Sequence, residues 1–366
     1  MNALLDPAEL TSRNNPELFG HAAAEQAFLD AWTSGRLAHA WLICGPRGIG
    51  KAGLAYRIAR FVLAGGSPPA TGGLFGDMPQ TPPSLAIDPG HPVFRRVASG
   101  GHADFKVVER GWTDDKKTKL KTEITVDDVR DVGAFLSLTP AEGGWRVVIV
   151  DAADEMNRSS ANAILKVLEE PPRRALMLLV SHSPGRLLPT IRSRCRRLAL
   201  RPLAQPMVVD LLHRLRPELG EADAQAIAGL AEGSIGKALG LEAEGGLELY
   251  REMVRLLSGL PRLDVAALHA FGDKVARGEE AFRTVCELFS WWLARAAAVA
   301  GMSGAGEVVA GEASLQRRLV DAAGLARWVE VWEKTNHLFE RADAVNLDKK
   351  QVVLNAFLAL ERLGGS

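Results

Sequence analysis

Apolar runs alternate with amphipathic stretches along about the first two hundred residues of the chain. Almost continuous apolar runs, typical of strands that are buried on both faces of a sheet, occur at Ala40–Cys44, Arg146–Val150 and Ala175–Val180. A further strand is indicated at Asp104–Glu109. Helical spacing of apolar residues predicts helices at Gly53–Leu63, Val126–Ser137 and Ser159–Leu168. This alternation predicts an α/β domain with a parallel sheet and flanking helices.

The pattern becomes wholly helical after Arg201. Short helices are predicted first, and a pair of glycines that begins at Gly245 indicates a break before further helices. We therefore expect three domains. They are an α/β domain at 1–201, a small helical lid at 202–245 and an all-helical domain at 246–366.

Two stretches of the α/β domain carry no clear helix or strand pattern. Gly65–Gly90 is rich in glycine and proline, so we expect no packed element there. Asp114–Glu123 is a run of charges that predicts an exposed hairpin or loop. Its lysines, between Lys116 and Lys121, either point into solvent or approach a phosphate backbone. The acidic residues in the same stretch favour solvent.

Composition and charge narrow the function classes. Of the 366 residues, 47% are hydrophobic and 24% are charged, as in ordinary globular proteins. The 44 lysines and arginines balance the 44 aspartates and glutamates. A protein whose main task is to bind nucleic acid usually carries a basic excess. Neutrality therefore argues against a dedicated DNA-binding protein, although a local basic surface within an assembly stays compatible with it.

Cysteine usage and the first residues bear on compartment. The three cysteines, Cys44, Cys195 and Cys286, are far apart, so they form neither a disulfide framework nor a zinc ribbon. The first residues lack a positive start followed by a long apolar segment, and the chain has no run of 18 apolar residues. We expect a cytoplasmic protein without bound zinc and without membrane attachment.

The segment GPRGIGKA, which begins at Gly45, follows the first apolar run and opens an amphipathic helix. It matches the Walker A pattern G-x-x-x-x-G-K-[ST] except at its last position. Gly45, Gly48 and Gly50 let the backbone curl so that N–H groups face phosphate oxygens, and Lys51 reaches the outer phosphates. The competing interpretation is a simple turn, which the strand–loop–helix context disfavours.

Two groups that ATP hydrolysis needs are absent from the sequence. Ala52 stands where a serine or threonine would hold Mg²⁺. Asp151 ends the apolar run that matches a Walker B strand, but Ala152 follows it where AAA+ ATPases usually carry a glutamate. The nearby acids Asp154 and Glu155 are explained by the dipole of the helix that we expect to begin there. The loop is therefore predicted to be a degenerate nucleotide site with an impaired metal position.

Two further positions carry alternatives that the residues alone leave open. Ser181 ends the strand predicted beside that of Asp151, where its hydroxyl either senses a phosphate or caps the strand. Arg194 lies in SRC, after a short helical stretch, among Arg192, Arg196 and Arg197. An arginine there either stabilises charge on a phosphate of another subunit or belongs to a basic surface cluster.

Two motifs taken together resemble one family. Ala161–Pro172 reads ANAILKVLEEPP, and SRC follows at Ser193–Cys195. In this order after the loop, they resemble the clamp-loader subunits of bacterial DNA polymerase III, which belong to the AAA+ class. The stretch HAWLICGPRGIGKA and the segment Asn346–Phe357, NLDKKQVVLNAF, resemble the delta-prime branch of that family. The resemblance covers nearly the whole chain and is weakest at Gly65–Gly100.

This resemblance implies an assembly. Residues 1–201 would form a RecA-like AAA+ P-loop domain, residues 202–245 a helical lid, and residues 246–366 a collar domain for oligomerisation. The partners would be delta and gamma/tau subunits in a heteropentameric ring within the DNA polymerase III holoenzyme, a DNA-directed DNA polymerase. Through the ring, the chain would act on the sliding clamp and primer-template DNA.

The resemblance also implies roles for single residues. Arg194 matches the SRC arginine that completes the ATP site of an adjacent subunit. Gly236 stands where active relatives carry a sensor-2 arginine, and delta-prime subunits usually hydrolyse nothing themselves. Weak binding of ATP or ADP stays open. The four-cysteine zinc module of many relatives is replaced by the cysteine-free Gly/Pro segment.

Three functions compete on this basis. The first is a non-motor subunit of the clamp loader, which Ala52, Ala152 and Gly236 favour. The second is an active gamma/tau-type ATPase subunit, which the same three residues oppose. The third is another P-loop enzyme such as a small-molecule kinase, for which both shared motifs would be coincidence.

Overall fold

The computed structural model describes residues 11–66, 84–113, 120–142, 144–301, 307–345 and 347–364. Most of the Gly/Pro segment, most of the charge run and Asn346 therefore lie outside the described residues. The chain divides into two compact units, Met1–Ala204 and Gln205–Ser366. None of the described helices is both long enough and apolar enough to cross a membrane.

The first unit is built on a parallel five-stranded sheet in the order β2-β3-β4-β1-β5. Its strands are, in chain order, β1 Ala40–Cys44, β2 Phe105–Val108, β3 Arg146–Asp151, β4 Ala175–Ser181 and β5 Arg196–Ala199. Every residue of the two neighbouring strands β1 and β4 is buried, as their continuous apolar sequences predict.

Helices cover both faces of this sheet. They are α1 Ala22–Thr33, α2 Lys51–Leu63, α3 Pro92–Ser99, α4 Val126–Val129, α5 Val132–Ser137, α6 Arg158–Glu169 and α7 Pro189–Arg194. Successive side chains of a strand point to opposite faces, so each strand serves two cores. Trp41 and Ile43 of β1 pack with α1, α2 and α3, whereas Leu42 packs with the remaining helices. The predicted α/β layout is confirmed.

One predicted helix is divided. The sequence pattern indicates a single helical stretch over Val126–Ser137, but the structure forms α4 and α5 as separate short helices. Thr125 and Asp128 form a capping box that begins α4. The carboxylate of Asp128 accepts hydrogen bonds from the backbone N–H and from the hydroxyl of Thr125. Asp131 then starts a second helix. The division places Val129, Val132 and Leu136 in the same apolar core.

Strand register brings the carboxyl ends of the central strands to one edge. Cys44 of β1 lies opposite Ser181 of β4, and Asp151 of β3 lies opposite Val180. Glu109 directly follows β2, whose last residue pairs with the residue before Asp151. Ligands of open α/β sheets bind at such an edge, so the register itself assembles the candidate site.

The second unit is helical throughout its described residues outside short connections. Its helices are α8 Gln205–Leu215, α9 Glu221–Ala231, α10 Ile235–Ala243, α11 Gly246–Ser258, α12 Val265–Ala276, α13 Glu279–Gly301, α14 Glu312–Ala323, α15 Leu325–Val345 and α16 Lys349–Gly364. The predicted break lies between α10 and α11. The fold class is thereby confirmed, whereas the lid and collar boundaries stay predictions.

Aromatic side chains form the core of the second unit. Phe289 packs edge-on against Phe357, with ring centroids 5.1 Å apart, and Trp292 lies 6.1 Å from Trp328. These four side chains are almost completely buried. Such pairs contribute about 1 kcal/mol beyond the area they bury, so the tryptophans of this unit hold its helices together.

Candidate functional site

The loop between β1 and α2 requires glycine at its first position. Gly45 has φ +152°, and a Cβ built there would lie 2.6 Å from the carbonyl oxygen of Leu200 and 2.8 Å from a methyl of Ile49. Gly48 and Gly50 also have positive φ, and Gly50 precedes the first residue of α2. The loop thus has the strongly curled backbone that the sequence motif predicts.

Lys51 is buried within its own loop. Its side chain is almost completely buried, and Nζ donates a hydrogen bond to the carbonyl oxygen of Pro46. Burial lowers the pKa of Lys51 to about 8, although the nearby Asp151 carboxylate favours the charged form. The ammonium group therefore has a local acceptor and an acidic neighbour without any bound phosphate.

Asp151 stands at the end of β3 in an acidic, desolvated position. Burial raises the pKa of Asp151 to about 6, and the carboxylate of Glu109 adds to this rise, whereas Lys51 opposes it. Sequence reasoning missed Glu109. The available signal was its position, since it follows β2 as Asp151 ends β3.

The acids beyond Asp151 are bound by other parts of the protein. Asp154 accepts hydrogen bonds from the backbone N–H groups of His182 at 2.9 Å and Ser183 at 3.0 Å. Glu155 forms ion pairs with Arg47 and Arg110. The interpretation of both acids as partners of a helix dipole is wrong, because only a three-residue 3-10 turn, Ala153–Glu155, forms there.

This arrangement leaves two catalytic positions without functional groups. Ala52 and Ala152 offer neither a hydroxyl nor a carboxylate. Asp154 and Glu155 do not replace them, since both carboxylates hold connecting segments in place. Among the described residues, no group of three or more His, Cys, Asp or Glu side chains is placed to hold a metal ion.

Ser181 and His182 lie at the end of β4, the strand between β1 and β3. Ser181 is fully buried, and its hydroxyl lies near enough to Asp154 to lower the pKa of this carboxyl without making a hydrogen bond of full geometry. His182 Nδ1 is buried without a hydrogen-bond partner among the described residues. Burial, with Lys51 and Arg47 nearby, lowers the pKa of His182 to about 4, so the ring is neutral at pH 7.

A second histidine that sequence reasoning missed anchors the loop from outside. His21 precedes α1, and its Nε2 lies 2.6 Å from the carbonyl oxygen of Ile49. A Cβ at Gly50 would lie 3.5 Å from the same ring nitrogen. No local sequence pattern marks His21, because its contact joins residues far apart in the chain.

Arg194 is separate from this cluster. It is the last residue of α7 and its side chain is 36% exposed. One terminal nitrogen donates to the carbonyl oxygen of Thr190 at 3.1 Å, and the other pairs with Glu169 at 2.9 Å. These contacts come from α6 and α7, and neither involves the Gly45–Lys51 loop.

The other arginines of the SRC region diverge. Arg196 stacks over the ring of Trp41 at 4.7 Å from its centroid, and Nε of Arg197 lies 3.2 Å from Sγ of Cys44. Arg192 is exposed on α7. Each guanidinium has different surroundings, so the four arginines do not form a uniform basic surface. In the second unit, Gly236 lies in the first turn of α10, whose cap is Ser234.

Comparison with known sequences gives matches to subunits of DNA polymerase III. Residues 87–204 match the family described as DNA polymerase III, delta subunit. The delta-prime subunit of DNA polymerase III from Pseudomonas aeruginosa is 34% identical over 63% of the chain and 63% of its own length. The delta-prime subunit from Escherichia coli is 32% identical over 58% of the chain and 56% of its own length.

Matches also include a tau subunit. DNA polymerase III subunit tau from Escherichia coli is 30% identical over 63% of the chain and 33% of its own length. The chain thus spans less than two thirds of each of these relatives. Among solved structures, a gamma subunit-related protein from Thermotoga maritima is 18% identical, with a TM-score of 0.43 over 92% of the chain and 99% of its own. The motif resemblance is confirmed by the sequence matches: the chain is similar to delta-prime and tau subunits of bacterial DNA polymerase III.

Proposed function

We propose that the chain is a non-motor subunit of the DNA polymerase III clamp loader. In this role it helps to load the sliding clamp onto primed DNA and supplies Arg194 to an ATP site of a neighbouring subunit. The observation that carries the proposal is the pairing of a well-formed phosphate-binding loop with the loss of two separate catalytic groups, at Ala52 and Ala152.

The chain's own site is suited to binding rather than turnover. Gly45, Gly48, Gly50 and Lys51 retain the loop, with Asp151 and Ser181 at the neighbouring strand ends. Hydrolysis also needs a hydroxyl that holds Mg²⁺ and a carboxylate that orients water. Without both, we expect ATP or ADP to bind weakly and to stay unhydrolysed.

The position of Arg194 supports a role in trans. A guanidinium that is more than a third exposed and held by α6 and α7 can contact a phosphate brought by another subunit. Such an arginine stabilises the charge that develops as a phosphoryl group leaves. The diverging contacts of Arg196 and Arg197 disfavour the alternative of one basic surface cluster.

The proposed role also implies partner subunits, domain roles and a cellular location. We propose delta and gamma/tau subunits as direct partners, with sliding clamp and primer-template DNA reached through the complex. Residues 1–201, 202–245 and 246–366 would serve as AAA+ domain, lid and oligomerisation collar. The proposed location is the cytoplasm, and no zinc is required.

The second candidate is an active gamma/tau-type ATPase subunit, which the match to tau favours. It requires Mg²⁺-dependent turnover by the chain itself. The two candidates therefore differ in what the purified chain does alone.

Reconstitution tests the proposed function. The chain is purified alone and with the delta and gamma/tau subunits of its own organism, and DNA-stimulated ATPase and clamp loading are measured with and without it. We expect co-elution with these subunits, negligible ATPase of the chain alone, and a marked loss of both activities when it is omitted. Robust turnover by the chain alone would favour the second candidate, and failure to co-elute would remove the assignment to this complex.

A further inference from the structure

Arg194 forms an ion pair with Glu169. Glu169 is the last residue of α6, and its carboxylate lies 2.9 Å from a terminal nitrogen of Arg194. The other terminal nitrogen donates to the carbonyl oxygen of Thr190, one turn earlier in α7. Two acceptors on different helices thus fix the plane of one guanidinium.

The carboxylate stands where its own helix disfavours it. A negative charge at the C-terminal end of a helix is repelled by the helix dipole. At Glu169, the guanidinium of Arg194 offsets this repulsion. Glu170, the next residue, is also exposed but forms no ion pair with any residue that the structure describes. Of these two adjacent acids, only Glu169 is placed to act on Arg194.

We infer that Glu169 is a positioning residue for Arg194, an inference that rests on the proposed role of Arg194 in trans. A long arginine side chain has many rotamers, and orienting it before a phosphate arrives removes part of the entropic cost of the contact. Glu169 and Thr190 each occupy one N–H, and an arginine has five, so among the described residues the other N–H groups are left available for a phosphate.

Glu169 could either orient the guanidinium of Arg194 or withhold it from ATP, and the exposure of the pair decides between these two effects. The side chains of Arg194 and Glu169 are 36% and 49% exposed, so water screens their attraction. Pairs of this kind shift an equilibrium by no more than about fivefold. A desolvated, doubly charged phosphate binds a guanidinium more strongly than that. Glu169 therefore cannot withhold Arg194 from an incoming ATP, and its contribution is to favour the productive orientation.

The test compares Glu169→Gln with Glu170→Gln in the full chain, reconstituted with its partner subunits. Glutamine keeps the size of the side chain and removes its charge. We expect Glu169→Gln to lower DNA-stimulated ATPase by about 1.5- to 2-fold, less than Arg194→Ala does, because a loss of up to about fivefold at one ATP site is diluted by the other sites of the ring. Glu170→Gln should match the wild type, and both variants should melt within about 2 °C of it.

A double-mutant cycle separates positioning from a structural role. If Glu169 acts through Arg194, Glu169→Gln adds no loss to Arg194→Ala. An equal loss in both backgrounds, or an equal loss from Glu170→Gln, would show that Glu169 does not position Arg194. If Arg194→Ala lowers activity and Glu169→Gln does not, the inference is wrong while the proposed function stands. If Arg194→Ala itself has no effect, the proposed function fails and the inference fails with it.

Discussion

Gly45 and Gly53, two glycines at the start of α2 and in the loop before it, differ in what their surroundings permit. A Cβ at Gly45 would overlap the carbonyl oxygen of Leu200, whereas a Cβ at Gly53, inside α2, would meet no atom within 4 Å. Gly45→Ala should therefore lower the free energy of unfolding by about 1–3 kcal/mol, as overpacking usually does. Gly53→Ala should raise it by about 0.5–1 kcal/mol, because alanine favours a helix interior. Urea unfolding measures both changes, and equal signs would contradict this account of the loop.

The raised pKa of Asp151 predicts a pH-dependent stability. Because the folded-state pKa is about 6 and the unfolded value is about 3.8, ionised Asp151 disfavours folding above pH 6 and has little effect below pH 4. Asp151→Asn should stabilise the protein at pH 8 by up to about 3 kcal/mol, a figure that already includes the attraction between Asp151 and Lys51. At pH 4 the two proteins should be nearly equal.

Asp154 provides the control with the opposite sign. Burial alone would raise the pKa of Asp154, but hydrogen bonds from the backbone of His182 and from the backbone of Asp154 itself lower it. A lowered pKa stabilises the fold at neutral pH and ceases to do so as pH falls through it. Asp154→Asn should thus destabilise the protein at pH 8. The same urea series at pH 4, 6 and 8 tests both, and a pH-independent effect of Asp151→Asn would show that its charge carries no cost.

Single residues of the site were predictable where a local motif marks them. The loop glycines, Lys51 and Asp151 lie in such motifs, and the structure places them at one edge of the sheet. Glu109, His182 and His21 were missed, because each contributes through strand register or a contact distant in sequence. Knowing the strand order would have indicated Glu109 and His182, which directly follow β2 and β4.

At the scale of elements, α2 holds the segment that precedes α1. Arg60 is 2% exposed, donates to the carbonyl oxygens of Arg13 at 3.2 Å and Asn15 at 2.8 Å, and stacks over Phe94. Burial, together with the charge of Arg57, lowers the pKa of Arg60 to about 10, so it remains charged at pH 7. This side chain thus fastens segment 11–16 to the helix.

Arg60→Ala should release that segment. Charge-assisted hydrogen bonds of this kind contribute about 2–3 kcal/mol, so the free energy of unfolding should fall by about that amount. Limited proteolysis should cut near residues 11–16 faster than in the wild type. Arg95→Ala, an exposed arginine of α3, is the matched control and should change neither quantity. Unchanged cleavage in Arg60→Ala would indicate that other contacts hold the segment.

Elements buried on both faces were the most predictable. The strands over β1, β3 and β4 follow from apolar runs, and their ends agree within one residue. The division of Val126–Ser137 was missed, because the periodicity of apolar residues continues across the turn at Arg130 and Asp131 that separates α4 from α5.

At the scale of the whole molecule, the residues proposed to act on ATP and the helices proposed for oligomerisation lie in different compact units. The unit Met1–Ala204 contains both the Gly45–Lys51 loop and Arg194, whereas the unit Gln205–Ser366 contains the helices proposed for oligomerisation. The match to the DNA polymerase III family lies within the first unit, at residues 87–204. Assembly and its stoichiometry are properties of several chains, so this sequence alone predicts them only through its relatives.

The central claim is that Arg194 serves an ATP held by a neighbouring subunit. Its most direct test is the DNA-stimulated ATPase of the complex reconstituted with wild-type chain, Arg194→Ala, Arg194→Lys or Arg192→Ala. An arginine finger can contribute about a thousandfold at its own site, but the other sites of the ring dilute the loss. We predict a loss of about threefold for Arg194→Ala with assembly intact, little rescue by lysine, whose point charge lacks the planar fork, and wild-type activity for Arg192→Ala. Wild-type activity of Arg194→Ala, or an equal loss from Arg192→Ala, would contradict the account.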